Sequence, residues 1–286
     1  MALGTSSTTN DGAQMLLRNP RYEVMPFDSF GEQMELLPDG ARMTVTTSPT
    51  LGLDATIEWT KTAAAEGYEM IPHIAARYVE DEDHLDEIAA QLQEAGVEGI
   101  FVPGGDRDEP VGEFESALDL LESLEDLGYE FDEVGITGYP EGHPIIDDET
   151  LAEAMTNKAP YATYIATQLC YDPDAVINWI ERVREERGVD LPIEVGIPGV
   201  LKYQRLLGIS NKVGVGDSVK FLRKTTGIVD FIRRFIGSRG KYTPDPLVDG
   251  LAPYTDDDKY DIRGLHIYTF NQSADTEKWR LDRLEE

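Results

Sequence analysis

The chain has 286 residues, 41% of them apolar, enough to bury one barrel-sized core or two smaller ones. Its 55 acidic against 25 basic side chains leave a net charge of −30, which argues against nucleic acid or an anionic membrane as partner, since phosphate contacts require basic patches. No apolar run reaches the ~18 residues of a membrane span, the opening MALGTSSTTNDGAQ lacks the basic and apolar regions of a signal peptide, and the single cysteine, Cys170, precludes an intramolecular disulfide.

Residues 1–18 are rich in Ser, Thr and Asn without periodicity, so a flexible N-terminus is expected. Arg21 to Pro26 (RYEVMP) reads as a first strand closed by proline, with Glu23 in its middle, where an unpaired buried charge is costly. Arg42 to Thr47 is the second strand and a helix follows from about Leu53 to Ala65. Tyr68 to Ala75 is the third strand and places His73 near its end. An amphipathic helix from Asp83 to Ala95 stops at Gly96, a C-cap signal. Gly99 to Pro103 is the fourth strand and runs into Gly104-Gly105-Asp106. After a helix from Phe114 to Leu127, the apolar run Phe131 to Ile136 is the fifth strand. It ends in Gly138-Tyr139-Pro140-Glu141-Gly142-His143-Pro144, more functional chemistry than a turn needs. A helix from about Asp148 to Lys158, a sixth strand from Ala162 to Tyr171, a helix from Pro173 to Glu186 and a seventh strand from Leu191 to Pro198 follow. Residues 201–238 are expected to be largely helical, 238–261 a loop, and Gly264 to Asn271 the eighth strand.

Eight strand–helix units argue for an α/β chain forming one closed parallel (β/α)8 TIM barrel as a single domain over residues 19–286. An open doubly wound sheet would carry G-x-G-x-x-G after its first strand, and none is there. In a barrel, Glu23, Thr46, His73, Asp106, Tyr139, His143, Gln168 and Asn271 fall at one rim. Each has a structural reading when taken alone: His73 as a satisfied rim histidine, Asp106 as a turn residue, Gln168 as a plug for barrel backbone, Asn271 as a strand cap. Together they point to a functional site. The four histidines show no H-x-H or H-x-x-x-H spacing, so no metal centre is expected. A set of carboxylates, imidazoles, a phenol and amides suits an organic cofactor or heterocyclic substrate with acid–base help.

GYPEGHP, with IPH at the third strand, GGD after the fourth, ATQLCYD at the sixth, IPG after the seventh and GLHIYTFN at the eighth, resembles the methylenetetrahydrofolate reductase family of the MetF type. The matches keep their order from about residue 21 to 272. The resemblance implies a flavoprotein barrel that reduces 5,10-methylenetetrahydrofolate to 5-methyltetrahydrofolate, with FAD as cofactor and NADH or NADPH as hydride donor. It assigns Glu23 as the general acid that protonates the folate nitrogen as the five-membered ring opens, a role worth ~10²–10⁴-fold. Asp106 matches a position beside flavin and pterin. Thr46, His73, Gly105, Tyr139 and His143 match flavin-contacting positions, Lys158 a lysine at the flavin phosphate, and Gln168 a glutamine that bonds the folate. The chain departs from the family pattern at Gly104, where arginine is usual, and at Gln272 after the last-strand asparagine. The alternative reading is a pterin- or flavin-binding barrel without reductase activity, serving folate-dependent methyl transfer or as an accessory subunit of a one-carbon complex. A homo-oligomer is compatible with either. A fold carrying this much negative charge requires screening, so the expected setting is the cytoplasm of a high-salt cell.

Overall fold

The computed structural model describes residues 5–202, 205 and 241–286. Strands β1 (Arg21–Val24), β2 (Arg42–Val45), β3 (Glu69–Met70), β4 (Gly99–Phe101), β5 (Glu133–Gly138), β6 (Tyr164–Thr167) and β7 (Ile193–Pro198) come first. The short pair β8 (Leu201–Lys202) and β9 (Lys241–Tyr242) precedes β10 (Ile262–Tyr268). Eight of them pair in parallel in the order β3-β2-β1-β10-β7-β6-β5-β4. The two ends of that order meet. Phe101 N donates to Pro72 O at 2.9 Å and Ile74 N donates to Phe101 O at 2.8 Å, bridging His73 to Phe101. The chain is therefore a (β/α)8 barrel. Strands β6 and β7 are buried along their whole length, as strands covered on both faces must be.

The crossover helices are α3 (Gly52–Ala65), α4 (Glu82–Glu94), α5 (Ala117–Asp126), α6 (Asp148–Lys158) and α7 (Pro173–Arg187), preceded by α1 (Thr5–Arg18) and α2 (Phe30–Met34). Most of the crossover helices start on a side-chain cap. Asp81 accepts from His84 N, Asp147 from Thr150 N and Asp172 from Asp174 N, while Ser116 and Asp119 form a reciprocal capping box. These caps sit where loops return from the barrel mouth, so they fix the lengths of the loops that carry the rim residues. Among the described residues no helix is long and apolar enough to cross a membrane.

Residues 5–18, expected to be flexible, instead form α1. Ala13, Leu16 and Leu17 on it are buried against α8 (Asp245–Leu251), the following 3-10 turn (Ala252–Tyr254) and α9 (Ser273–Leu284). A Cβ on Gly12 would lie 2.2 Å from Ala252 O, so only glycine allows this approach. The segment read as a loop from 238 to 261 contains β9, α8 and that 3-10 turn. Helical structure expected over 201–238 lies almost wholly outside the described residues; at its margins Leu201 pairs antiparallel with Tyr242.

The N-terminal ends of the strands carry a charge network inside the barrel. Arg21 donates to Glu194 at 3.0 Å and to Glu133 at 2.8 Å, and Arg263 donates to both carboxylates at 2.8 and 2.9 Å. Arg42 lies 3.2 Å from Glu194 and 3.3 Å from Glu133. Arg21 and Glu194 are wholly buried. Burial alone would raise the Glu194 pKa, yet Arg21, Arg263 and Arg42 hold it down at about 2. Removing one member of such a buried set leaves its partners with uncompensated charge, at about 3–5 kcal/mol. This layer is the floor of the barrel, and it leaves the opposite end for chemistry.

Candidate active site at the barrel mouth

Glu23 stands on β1 between β2 and β10, opposite Thr44 and Tyr268. Its side chain is 12% exposed, and its Oε2 lies 3.1 Å from His266 Nε2 and 3.7 Å from His73 Nε2. The first distance is a hydrogen bond and the second is not. Thr269 fastens the strand beneath: its N–H and its hydroxyl both donate to Glu23 O, at 3.2 and 2.6 Å.

His73 is held where β3 meets β4. Its N–H donates to Val45 O at 2.9 Å, its carbonyl accepts from the Thr47 hydroxyl at 2.8 Å, and its ring packs on Phe101 at 4.7 Å. Burial pulls its pKa down to about 4, although the Glu23 carboxylate pulls the other way. The imidazole is therefore neutral near pH 7. Its Nε2 is buried without a hydrogen-bond partner.

A second group gathers at the end of β5. The Lys158 ammonium is 7% exposed and donates to the Thr137 hydroxyl at 3.4 Å. Burial lowers its pKa to about 8. Burial raises the Tyr139 phenol, against a hydrogen bond with the same Thr137 hydroxyl. His143 stacks edge-on to Tyr139 at 5.5 Å, and its Nδ1 accepts from Ile145 N and Ile146 N at 3.3 and 3.2 Å. Those bonds shape the loop and leave Nε2 as the protonated nitrogen.

The remaining rim positions are held by the backbone around them. Gly105 adopts φ +98°, which side chains other than glycine rarely accept, and turns Asp106 toward Tyr78, whose hydroxyl donates to Asp106 Oδ1 at 2.5 Å. A Cβ on Gly104 would meet nothing within 4 Å. Gln168 N donates to Gly138 O at 2.7 Å and its own Oε1 accepts from Leu169 N at 2.8 Å. Thr46 N donates to Val24 O at 3.2 Å and its carbonyl accepts from the Thr56 hydroxyl. Asn271 acts as a clamp. Its Oδ1 accepts from Met25 N at 2.9 Å and its Nδ2 donates to Met25 O and to Ser29 Oγ, tying the loop after β1 to the end of β10.

The model of the methylenetetrahydrofolate reductase family matches residues 23–279, nearly the whole barrel. The chain belongs to the methylenetetrahydrofolate reductase family. It is 31% identical over 200 residues to methylenetetrahydrofolate reductase 2 of Saccharomyces cerevisiae, covering 65% of this chain and 32% of that protein. It is 30% identical over 183 residues to methylenetetrahydrofolate reductase 1 of Schizosaccharomyces pombe, covering 61% and 26%. A probable methylenetetrahydrofolate reductase (NADH) of Oryza sativa is 27% identical over 143 residues, covering 44% and 24%. The chain thus aligns with about a third or less of the length of these reductases.

Within this reductase-family barrel, two clusters of the sequence-derived residues are brought together: Glu23 with His73, and Lys158 with Tyr139 and His143. Sequence reasoning missed His266. It lies mid-strand between Leu265 and Ile267, and its buried imidazole turns inward to Glu23. A polar residue inside an apolar strand was the available signal. Glu23, His73 and His266 also bring three potential ligand atoms within 4.8 Å, which spacing along the chain did not announce. Metal-bound imidazoles hold their second ring nitrogen on an acceptor, whereas His266 Nδ1 is buried without one. The set is built as a hydrogen-bonded carboxylate. A separate groove of about 420 Å³ runs between α6 and α7 and reaches Tyr139 and Trp179, but Glu23 and His73 do not line it.

Proposed function

We propose that this chain reduces 5,10-methylenetetrahydrofolate to 5-methyltetrahydrofolate, with FAD held at the barrel mouth and NADH or NADPH as the reductant. The observation that carries the reading is the Glu23 carboxyl group, mostly buried at the mouth and hydrogen-bonded to an imidazole. Opening the five-membered ring requires a proton on the departing amine nitrogen, because an unprotonated amide-like anion leaves poorly. Glu23 supplies that proton, and the iminium carbon left behind accepts hydride. General acid catalysis of this kind contributes ~10²–10⁴-fold.

The residues at the mouth fit a flavin dinucleotide. Lys158 is a buried ammonium whose one hydrogen bond among the described residues runs to a neutral hydroxyl, an arrangement that calls for an anion such as a phosphate. His73 offers a buried ring nitrogen without a partner. Thr46, Gly105, Asp106, Tyr139 and His143 are the other rim positions that the family resemblance assigns to the flavin. When bound, the flavin supplies the hydride. Neutral His73 adds no positive charge beside Glu23, so the carboxyl group works without a competing cation. Gln168, steadied through its own amide oxygen, is the assigned partner of the folate. A barrel that merely bound pterin or flavin would gain nothing from an acid in this position.

The visible spectrum of the protein purified in molar KCl tests the reading. Oxidised-flavin bands that NADH or NADPH bleaches and methylenetetrahydrofolate restores are the expected result. A colourless protein that FAD cannot reconstitute would overturn it.

A further inference from the structure

His266 has been given no step of its own so far, yet it makes the closest polar contact to the Glu23 side chain among the described residues. Its side chain is 2% exposed, and Nε2 stands 3.1 Å from Glu23 Oε2. The ring is caged: Tyr268 lies 4.9 Å away, Phe101 6.2 Å and His73 6.4 Å, centroid to centroid. Among the described residues, the other groups facing the Glu23 carboxylate do not donate to it. His73 Nε2 is at 3.7 Å, beyond hydrogen-bond distance, and the Tyr268 hydroxyl donates to Thr167 O at 3.0 Å. Arg21, two residues back on β1, is committed to Glu133 and Glu194. Tyr139 bonds Thr137.

The unpartnered Nδ1 decides the tautomer. If Nδ1 carried the proton, a buried N–H would have no acceptor and the Nε2 lone pair would face a carboxylate oxygen. With the proton on Nε2, the donor faces Oε2 and only a lone pair is buried without a partner. A donor fixed on one carboxylate oxygen leaves the other as the reactive one.

We infer that His266 is the positioning residue of the proposed proton transfer: its Nε2–H fixes Glu23 Oε2, so that Oε1 presents the proton to substrate, and it stabilises the carboxylate that forms. The inference rests on the general-acid reading of Glu23. In the step, the proton leaves Glu23 Oε1 for the amine nitrogen, the C–N bond breaks with its electron pair staying on nitrogen, and Glu23 becomes anionic. His266 keeps its proton throughout, and water reprotonates Glu23 after product leaves. Because negative charge grows on Glu23 along this path, the hydrogen bond strengthens toward the transition state, which is the condition for it to raise kcat rather than affect binding alone.

Two variants and one spectrum test this. Gln in place of His266 keeps an N–H donor near the Nε2 position, and Leu removes it. His266→Leu is expected to lower kcat by about 10- to 100-fold, the range of a hydrogen bond to a charged group, with the folate KM within about threefold and the flavin retained. His266→Gln should recover most of that loss. In the purified protein, the ring-nitrogen NMR pattern of His266, identified by its absence in His266→Gln, should be that of the neutral Nε2–H tautomer. An Nδ1–H pattern overturns the inference, as does kcat within twofold of wild type in a folded His266→Leu, or a folded His266→Gln no better than His266→Leu. Near-normal turnover in Glu23→Gln would instead remove the general-acid reading, and this inference with it, whatever the spectrum shows.

Discussion

The Lys158 ammonium lies 3.4 Å from the Thr137 hydroxyl, and no carboxylate pairs with it among the described residues. In a chain of net charge −30, a buried cation without a carboxylate costs stability unless an anion arrives. Burial lowers its pKa to about 8, so the ammonium is fully present only below that pH. FAD affinity is therefore expected to fall as pH rises through about 8. Lys158→Met should bind FAD about 10- to 100-fold more weakly, the range of a hydrogen bond to a charged group, and lose that pH dependence. The sign for stability is opposite. A lysine with a lowered folded pKa penalises the fold below about 8, so flavin-free Lys158→Met should melt no lower than wild type at pH 7. Titration of each variant with FAD and a melting curve without it check both halves.

The barrel floor predicts a separate pH effect. Glu194 has its folded pKa held at about 2 by three arginines, below its ordinary 4.5. A depressed carboxylate contributes stability that is fully present above the unfolded pKa and is lost as pH falls through the folded one. Glu194→Gln should cost about 3–5 kcal/mol near neutrality. The gap between variant and wild type should close between about pH 4.5 and about pH 2. Because both proteins carry the rest of the acidic surface, their difference isolates this one group. Denaturant unfolding of the pair across that window measures it.

The charge balance predicts a dependence on salt. With 55 acidic side chains against 25 basic ones, self-repulsion disfavours the compact state until counter-ions screen it. The melting temperature is expected to rise from low to molar KCl. A curve that is flat or falls over that range would contradict a high-salt setting.

The alternation of apolar runs and amphipathic helices made the barrel legible, because each βα unit writes its own period. The structure adds the caps Asp81, Ser116, Asp147 and Asp172 at four of the helix starts. What was hidden depends on partners far along the chain. In α1, the polar run TSSTTND obscures a face that ends in Leu16 and Leu17, and the helix is held by packing on elements that begin at Asp245, far along the chain. Arg21, Arg42, Arg263, Glu133 and Glu194 stand at separate strand starts, and only ring closure makes them one network. Within the site, Glu23 and His73 stood out as polar groups in strands. Asn271 did too, but its work is to clamp Met25 and Ser29. His266 was passed over because its partner is 243 residues away.

Glu23 is the proposed proton donor. Rapid-mixing kinetics of Glu23→Gln against wild type, following reoxidation of the reduced flavin by methylenetetrahydrofolate, test that most directly. Flavin binding and reduction by the nicotinamide should be unchanged, while reoxidation by the folate slows by at least ~100-fold, within the general-acid range. Reoxidation at close to the wild-type rate would contradict the account.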